Sequence, residues 1–388
     1  MTETKRANIH QTLLNRCCLL FLFLLFPAST AGILFPAKIS EKDFIFSSPL
    51  VVKWQFESKS VIHLTPTTKD GYVYLPLSSG DLVSLKVGDG YLQWKTEIGG
   101  DFSASPVADT RGVYIASRTD SPPSTPQIIH ATGAIRALSQ NTGITLWMRT
   151  LHYPLQGSLA SSPTTIFGGS ADGRIYAFNK ATGEVLWMAQ HTGAFASIPV
   201  LHNHRLYIGS EDGTLLALDE LTGAAVWRYR TRGALRSPVA VSGSTIYFGS
   251  ADAYVYAFSE NSGRLLWRRR TGAAVQAVVQ TNHGLLVTSL DNFVYLLSPR
   301  RGELIWKRQL AGRIAAIPLV DEQSALFAPL GGDACIVLSL RDGKQLNTLP
   351  VGEDGNTSAS SVVADNLLLI PTRRGLTAFA PSSLDAQP

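Results

Sequence analysis

All seven tryptophans of this 388-residue chain occupy the same position of a repeated unit. Trp54, Trp94, Trp147, Trp187, Trp227, Trp267 and Trp306 are separated by 40, 53, 40, 40, 40 and 39 residues. An eighth copy, RDGKQLN over 341–347, carries Asn347 where the tryptophan belongs. Subtracting one insertion of 13 residues from the 293 between Trp54 and Asn347 leaves 280, or seven intervals of 40. Self-similarity at that period signals stacked supersecondary units.

Each unit reads as four short strands. Over 196–227 they are IPVL (198–201), RLYIGS (205–210), TLLALD (214–219) and AAVW (224–227). Glu211-Asp212-Gly213 and Thr222-Gly223 separate the last three, and glycine takes the positive φ that such tight turns need. Apolar and polar residues alternate over four to six positions, and no segment carries a 3.6-residue stripe, so the chain is expected to be all-β. Four strands repeated radially make a propeller blade, which leaves only short edges exposed. The expectation is an eight-bladed β-propeller over 49–381, with four antiparallel strands per blade. PLVVKW (49–54) precedes the first full unit, and the C-terminal unit, SASSVVADNLLLIPT through GLTAFA (375–380), lacks a last strand. The two ends are therefore expected to complete one blade and close the ring.

Residues 1–31 read as a secretory signal. Lys5, Arg6 and Arg16 precede CCLLFLFLLF (17–26), then Pro27 and the small residues Ser29-Thr30-Ala31. Ten apolar residues are too few to span a bilayer. Residues 32–48 form a lead-in segment and 382–388 a tail. Export places the protein in the periplasm or at the outer-membrane periphery, with no integral span after cleavage. Of the three cysteines only Cys335 would survive, which excludes an internal disulfide and marks a small buried residue.

Removing the signal, with three basic residues and one acidic, lowers the formal charge from +5 to +3, too little to argue for nucleic acid. The charge is nevertheless uneven. Between Trp227 and Arg313 there are 13 Lys or Arg against four acids, many just after a tryptophan: Arg228, Arg230, Arg232, Arg268, Arg269, Arg270, Lys307 and Arg308. Two readings stay open: a solvated rim that discourages edge pairing, or a basic surface for an acidic partner, anionic lipid or anionic polysaccharide.

The recurring Ala-Phe or Ala-Leu strand, Thr-Gly turn and tryptophan four residues after the glycine, as in YAFNKATGEVLW (176–187) and LALDELTGAAVW (216–227), resembles the pyrroloquinoline-quinone-type propeller repeat. The resemblance covers essentially the whole mature chain. It implies that each tryptophan docks between adjacent blades. The family includes quinoprotein dehydrogenases and non-enzymatic proteins, and this chain's size and lack of appended domains are similar to the branch serving the outer-membrane β-barrel assembly machinery.

The dehydrogenases hold their cofactor with a vicinal disulfide, a stacked tryptophan, a calcium ion and a catalytic aspartate. Here the one vicinal pair, Cys17-Cys18, leaves with the signal, and every tryptophan belongs to the blade pattern. No cofactor, metal or catalytic residue is therefore assigned, and no G-x-S-x-G elbow or phosphate-binding glycine loop occurs. His202 and His204 flank Asn203, a spacing that would put both on one metal but that also suits a solvated turn. Asp172, Asp212 and Asp252 recur at turn positions and read as turn formers.

Candidate binding residues come from departures from the repeat. RTDSPPSTPQIIHAT (118–132) contains the 13-residue excess, stiffened by Pro122, Pro123 and Pro126, and brings Arg118, Asp120 and His130. Aligning the inner strands on Pro106, Pro163, Pro199, Pro238 and Pro318 puts Ala104, Ser161, Ser197, Arg236 and Ala316 at one position, with Gln276 there in the blade between the last two. Small residues fit around a crowded axis, so Arg236 and Gln276 would project polar groups into the channel. The assembly branch binds its partner through an inter-blade loop of leucines followed by arginine, which the resemblance places at Leu235-Arg236 or Leu155-Gln156.

Three functions fit this sequence. The first is a non-catalytic exported scaffold, a monomer within a complex, that binds another envelope protein, in the manner of the β-barrel assembly machinery. The second is a quinone-dependent oxidoreductase using the channel, and the third a cell-wall or polysaccharide binding module using the basic rim.

Overall fold

The computed structural model describes residues 44–119, 132–353 and 355–382. Its 32 strands form six four-stranded sheets and one eight-stranded sheet, with no helix among the described residues. Each unit is named here by the residue at its tryptophan position. The eight-stranded sheet is the Trp147 unit (101–151) joined to the Trp187 unit (155–190) by parallel pairing of Ala104 with Gly157 and Ser105 with Ser158. Leu50–Glu57 pairs antiparallel with Gly375–Pro381, so the first and last described strands share one sheet, as the sequence led us to expect.

The strands follow from local chemistry. Asp70-Gly71, Asn203-His204 and Asp365-Asn366 all have positive φ at both residues, the backbone of a two-residue hairpin whose twist matches its strands. The middle strands are buried on both faces: Leu206, Tyr207, Leu215 and Ala217 are at most 1% exposed. The fourth strands alternate, Trp227 and Tyr229 half-buried, Val226, Arg228 and Arg230 exposed. The core is thus a series of clusters between successive sheets, such as Val200, Tyr207, Leu235, Ile246, Phe248 and Phe258.

One lock recurs at every tryptophan. Each indole Nε1 donates to a backbone carbonyl of the following unit, at Val87, Gln140, Lys180, Glu220, Glu260, Pro299 and Leu340, over 2.8 to 3.0 Å. The ring covers the turn glycine of that unit, from Gly90 under Trp54 to Gly343 under Trp306. A Cβ on any of these seven glycines would lie 2.4 to 2.8 Å from the indole. Their φ values run from +63° to +73°. The Thr-Gly signature therefore answers two demands at once, left-handed backbone and a bare surface for the indole.

Asn347 breaks the series because the lead-in chain takes the indole's place. Its Nδ2 donates to the carbonyls of Phe46 (3.1 Å) and Ser48 (2.9 Å). Phe44 and Phe46 are 1% and 0% exposed and pack on Leu319, Val337, Leu368 and Phe379. Asp321 Oδ2 accepts from the Phe46 amide at 3.1 Å. The lead-in expected over 32–48 is thus, from Phe44 on, part of the core rather than a segment preceding it.

Three substitutions test these assignments by denaturant unfolding. Gly223→Ala, strained at φ +71° and 2.5 Å from the Trp187 ring, should cost about 2–4 kcal/mol. Gly243→Ala, at φ +57° with nothing within 4 Å, should cost only the backbone term of about 1 kcal/mol. Equal losses would remove the indole from the explanation. Phe46→Ala should cost about 3–5 kcal/mol, whereas a loose lead-in would leave the unfolding midpoint unmoved.

Candidate functional site

Side chains vary between units where each linking segment turns into its first strand. The link into the Trp267 unit shows how it is held. Thr231 N donates to Gly213 O at 2.8 Å, Thr231 Oγ1 to Gly233 O at 2.8 Å, and Leu235 N to Ser210 O of the preceding unit at 3.0 Å. Ala251 N donates to Ala234 O at 2.9 Å, and Arg232 N to Asp252 Oδ2 at 3.1 Å. A segment fixed at this many points presents its exposed side chains with little conformational freedom.

The Ala251-to-Ala234 bond recurs and sets the true equivalence between units. Its counterparts are Ser78 to Val61, Ala171 to Pro154, Glu211 to Ala194, Leu290 to Ala274, Leu330 to Arg313 and Arg373 to Gly355. Two residues past each accepting carbonyl stand His63, Gln156, Ala196, Arg236, Gln276, Ala315 and Thr357. Arg236 and Gln276 are equivalent, as the proline alignment had them. Ser197 is not their counterpart: its Oγ donates to Gly209 O as that of Ser237 does to Gly249 O, one residue further on. Ser161 lies further along its strand, and Ala316 one residue beyond Ala315. First strands break register at Gln156/Ala160, which displaces Ser161, and at Val275/Ala277.

Gln276 is the residue inserted in the second break, and it is half-buried, as is Gln156. The guanidinium of Arg236 meets Glu211 of the preceding unit edge on, Nε to Oε1 at 2.8 Å and NH2 to Oε2 at 2.6 Å. The hydrogen bonds that Arg236 donates to Glu211 push its pKa up, against the opposing effect of burial. Arg236 therefore presents a paired cation, not the open anion site expected from sequence.

The two leucines fall elsewhere. Leu155 and Leu235 are 0% and 2% exposed, in the same core series as Phe195, Val275 and Ile314. They wedge the strand start into the core and leave the surface to Gln156 and Arg236. Exposed apolar groups at this end are instead Tyr153 (51%), beside Pro154, and Leu330 (39%), the counterpart of Glu211. Neither departs from the repeat in a way that marks it by sequence.

Arg118 lies at the base of the insertion, 3.4 Å from Asp101, where Thr119 N donates to Thr132 O. Asp120 and His130 lie outside the described residues. His202 and His204 diverge: His202 Nε2 lies 3.6 Å from Glu260, while His204 Nδ1 lies 3.8 Å from Glu220. Among the described residues no group of three or more His, Cys, Asp or Glu could hold a metal ion. Cys17 and Cys18 lie outside the described residues. Cys335 is buried, with Sγ 3.3 Å from Asn356 Oδ1, and burial pushes its thiol up to about 12.

The turn aspartates do more than close turns. Asp172, Asp212 and Asp252 each accept from the backbone two residues on, at 3.2, 3.0 and 3.1 Å. Asp212 also accepts from Ser210 Oγ, from Thr192 Oγ1 at 3.2 Å, and meets His191 Nε2 at 3.3 Å. Beside it a cavity of about 400 Å³ is lined partly by His191, Arg228 and Arg230.

A sequence profile described as outer membrane protein assembly factor BamB matches residues 131–253 and again 251–383, well over half of the chain. The chain belongs to that family. Among solved structures, BamB from Moraxella catarrhalis superposes with a TM-score of 0.71 at 16% identity, over 88% of this chain and 100% of that one. The computationally designed Ika8 protein gives 0.70 at 14%, over 84% and 98%. Quinohemoprotein alcohol dehydrogenase from Comamonas testosteroni gives 0.71 at 10%, over 90% and 79%. These three share the fold with this chain. No curated protein matches it by sequence.

Asp212 supplies a pH test. Burial opposes its charge, but hydrogen bonds from Ser210, Thr214 and His191 outweigh burial and hold the carboxyl well below the usual carboxylate range. A folded pKa below the unfolded value of about 3.9 means stability present above that value and lost as pH falls toward the folded one. Asp212→Asn should therefore lower stability at pH 7 and flatten its decline between about pH 5 and 3. An unchanged decline, followed by denaturant unfolding across that range, would refute the assignment.

Proposed function

We propose that this protein is a non-catalytic, exported scaffold of the cell envelope that holds another protein of the outer-membrane assembly apparatus. Its blades number eight and its ring is closed by the strand Leu50–Glu57. Family membership supports the assembly role, and the rigid set of links at the first-strand starts supports a docking face there. The observation that carries this reading is the Glu211–Arg236 pair, with exposed Tyr153 and Leu330 at corresponding points of other units. A charged pair, with exposed aromatic and aliphatic side chains at corresponding positions, all on backbone fixed by hydrogen bonds, suits protein recognition at little ordering cost. His63, Gln156 and Gln276 supply uncharged or titratable polar contacts at equivalent positions. The protein works as a monomer within its complex, without nucleic acid or cofactor.

The test is affinity capture from native envelopes with the full chain and with Arg236→Glu and Tyr153→Ala. Arg236→Glu sets two carboxylates against each other and should cut recovery of the co-purifying envelope protein at least tenfold, with the unfolding midpoint nearly unchanged because the pair is exposed. Undiminished recovery with both variants would move the docking face elsewhere. Dye reduction that depends on added pyrroloquinoline quinone and calcium would replace the scaffold reading with the oxidoreductase one.

A further inference from the structure

Three neighbouring outer strands carry a second surface, independent of the docking face. On Ala225–Arg230 the solvent face shows Val226, Arg228 and Arg230; on Leu265–Arg270 it shows Leu266, Arg268 and Arg270. On Leu304–Gln309 it shows Ile305 and Lys307. Residues two apart point the same way along a strand, about 7 Å from each other. Each strand therefore sets one aliphatic side chain beside cations on a single face. Val226, Leu266 and Ile305 remain 45%, 44% and 50% exposed.

Some cations of this chain are neutralised by a neighbouring carboxylate. Lys69, Lys95, Arg174, Arg236 and Lys344 each lie within 4 Å of a carboxylate. Arg228, Arg230, Arg268, Arg270 and Lys307 have no such partner among the described residues. Two are instead steadied by aromatic rings, Arg268 over Tyr254 at 5.0 Å and Lys307 over Phe293 at 5.1 Å. A platform of this kind keeps the stem down and the charge outward. The equivalent strand positions of the Trp147 and Trp187 units carry Leu146, Met148, Leu186 and Met188, without a cation on the outer strand itself at those positions.

We infer that this rim rests on an anionic phospholipid surface, its arginines and lysine on headgroup phosphates and its aliphatics at the acyl boundary. Five unpartnered cations call for a polyanion. Exposed aliphatics within the same face call for an apolar phase next to it, which a headgroup layer supplies and a polysaccharide does not. A membrane contact at the rim would leave the first-strand starts open to a protein partner.

The test is flotation of the full chain with vesicles of phosphatidylcholine, alone or mixed with phosphatidylglycerol. Each rim cation removed should weaken the phosphatidylglycerol-dependent binding about fivefold, the factor that ~1 kcal/mol per surface cation converts to. Arg228→Gln/Arg268→Gln/Arg270→Gln should thus lose well over tenfold. Lys59→Gln/Lys86→Gln/Arg111→Gln, the same change of net charge at exposed sites away from the rim, should lose little. Leu266→Ser should weaken vesicle binding while leaving retention on heparin unchanged. Unfolding midpoints of all variants confirm that the fold is kept. Equal losses in the two triple variants, or none in the rim triple, would overturn the inference. No effect of Leu266→Ser on flotation, or capture of an acidic protein by the rim in preference to vesicles, would overturn it as well.

Discussion

Everything in this fold hangs on one contact, an indole laid over a glycine of the next sheet with its N–H on that sheet's backbone. A four-stranded sheet has two apolar faces and cannot bury either alone. The indole contributes the large apolar area, and its single donor finds a carbonyl, so nothing polar is stranded between the sheets. Aromatic residues of the second strands back it, as with Tyr207 against Trp227 at 5.9 Å and Tyr247 against Trp267 at 5.9 Å. Because each unit is locked to the next in the same way, the links between units are left free to vary in sequence without loosening the backbone.

That division of labour explains where side chains of interest lie. The interlocking contact uses tryptophan over glycine at seven of the unit junctions, whereas the position two residues beyond the accepting carbonyl holds histidine, glutamine, alanine, arginine or threonine. Leucine 155 and leucine 235 sit one residue before it and are core. The solvent faces of the outermost strands vary in the same permissive way, from Leu146 and Met148 in one unit to Leu266 and Arg268 in another. Similar backbones therefore carry an apolar sector and a cationic one.

Much of this was legible in advance. The tryptophan spacing located the units, the Asp-Gly and Thr-Gly pairs located the turns, and the missing last strand pointed to the pairing of Leu50–Glu57 with Gly375–Pro381. The site was less legible. Prolines served as alignment marks, but proline limits only φ and the ladder donor, not the number of residues that precede it in an irregular strand. The sequence marks Asn347 as standing where tryptophan belongs but gives no sign that it holds the carbonyls of Phe46 and Ser48, 301 and 299 residues away.

The amino-acid order alone determined the period, the strand count per unit and the turn chemistry, because those depend on side-chain alternation and on which residues tolerate positive φ within a few positions. Only the tertiary structure decided that Arg236 is bound to Glu211, that Leu155 and Leu235 face inward, and that five cations share one face without carboxylates. Those outcomes depend on the spacing of neighbouring sheets and on small register breaks, which set distances between residues that lie tens of positions apart and leave no mark in local pattern.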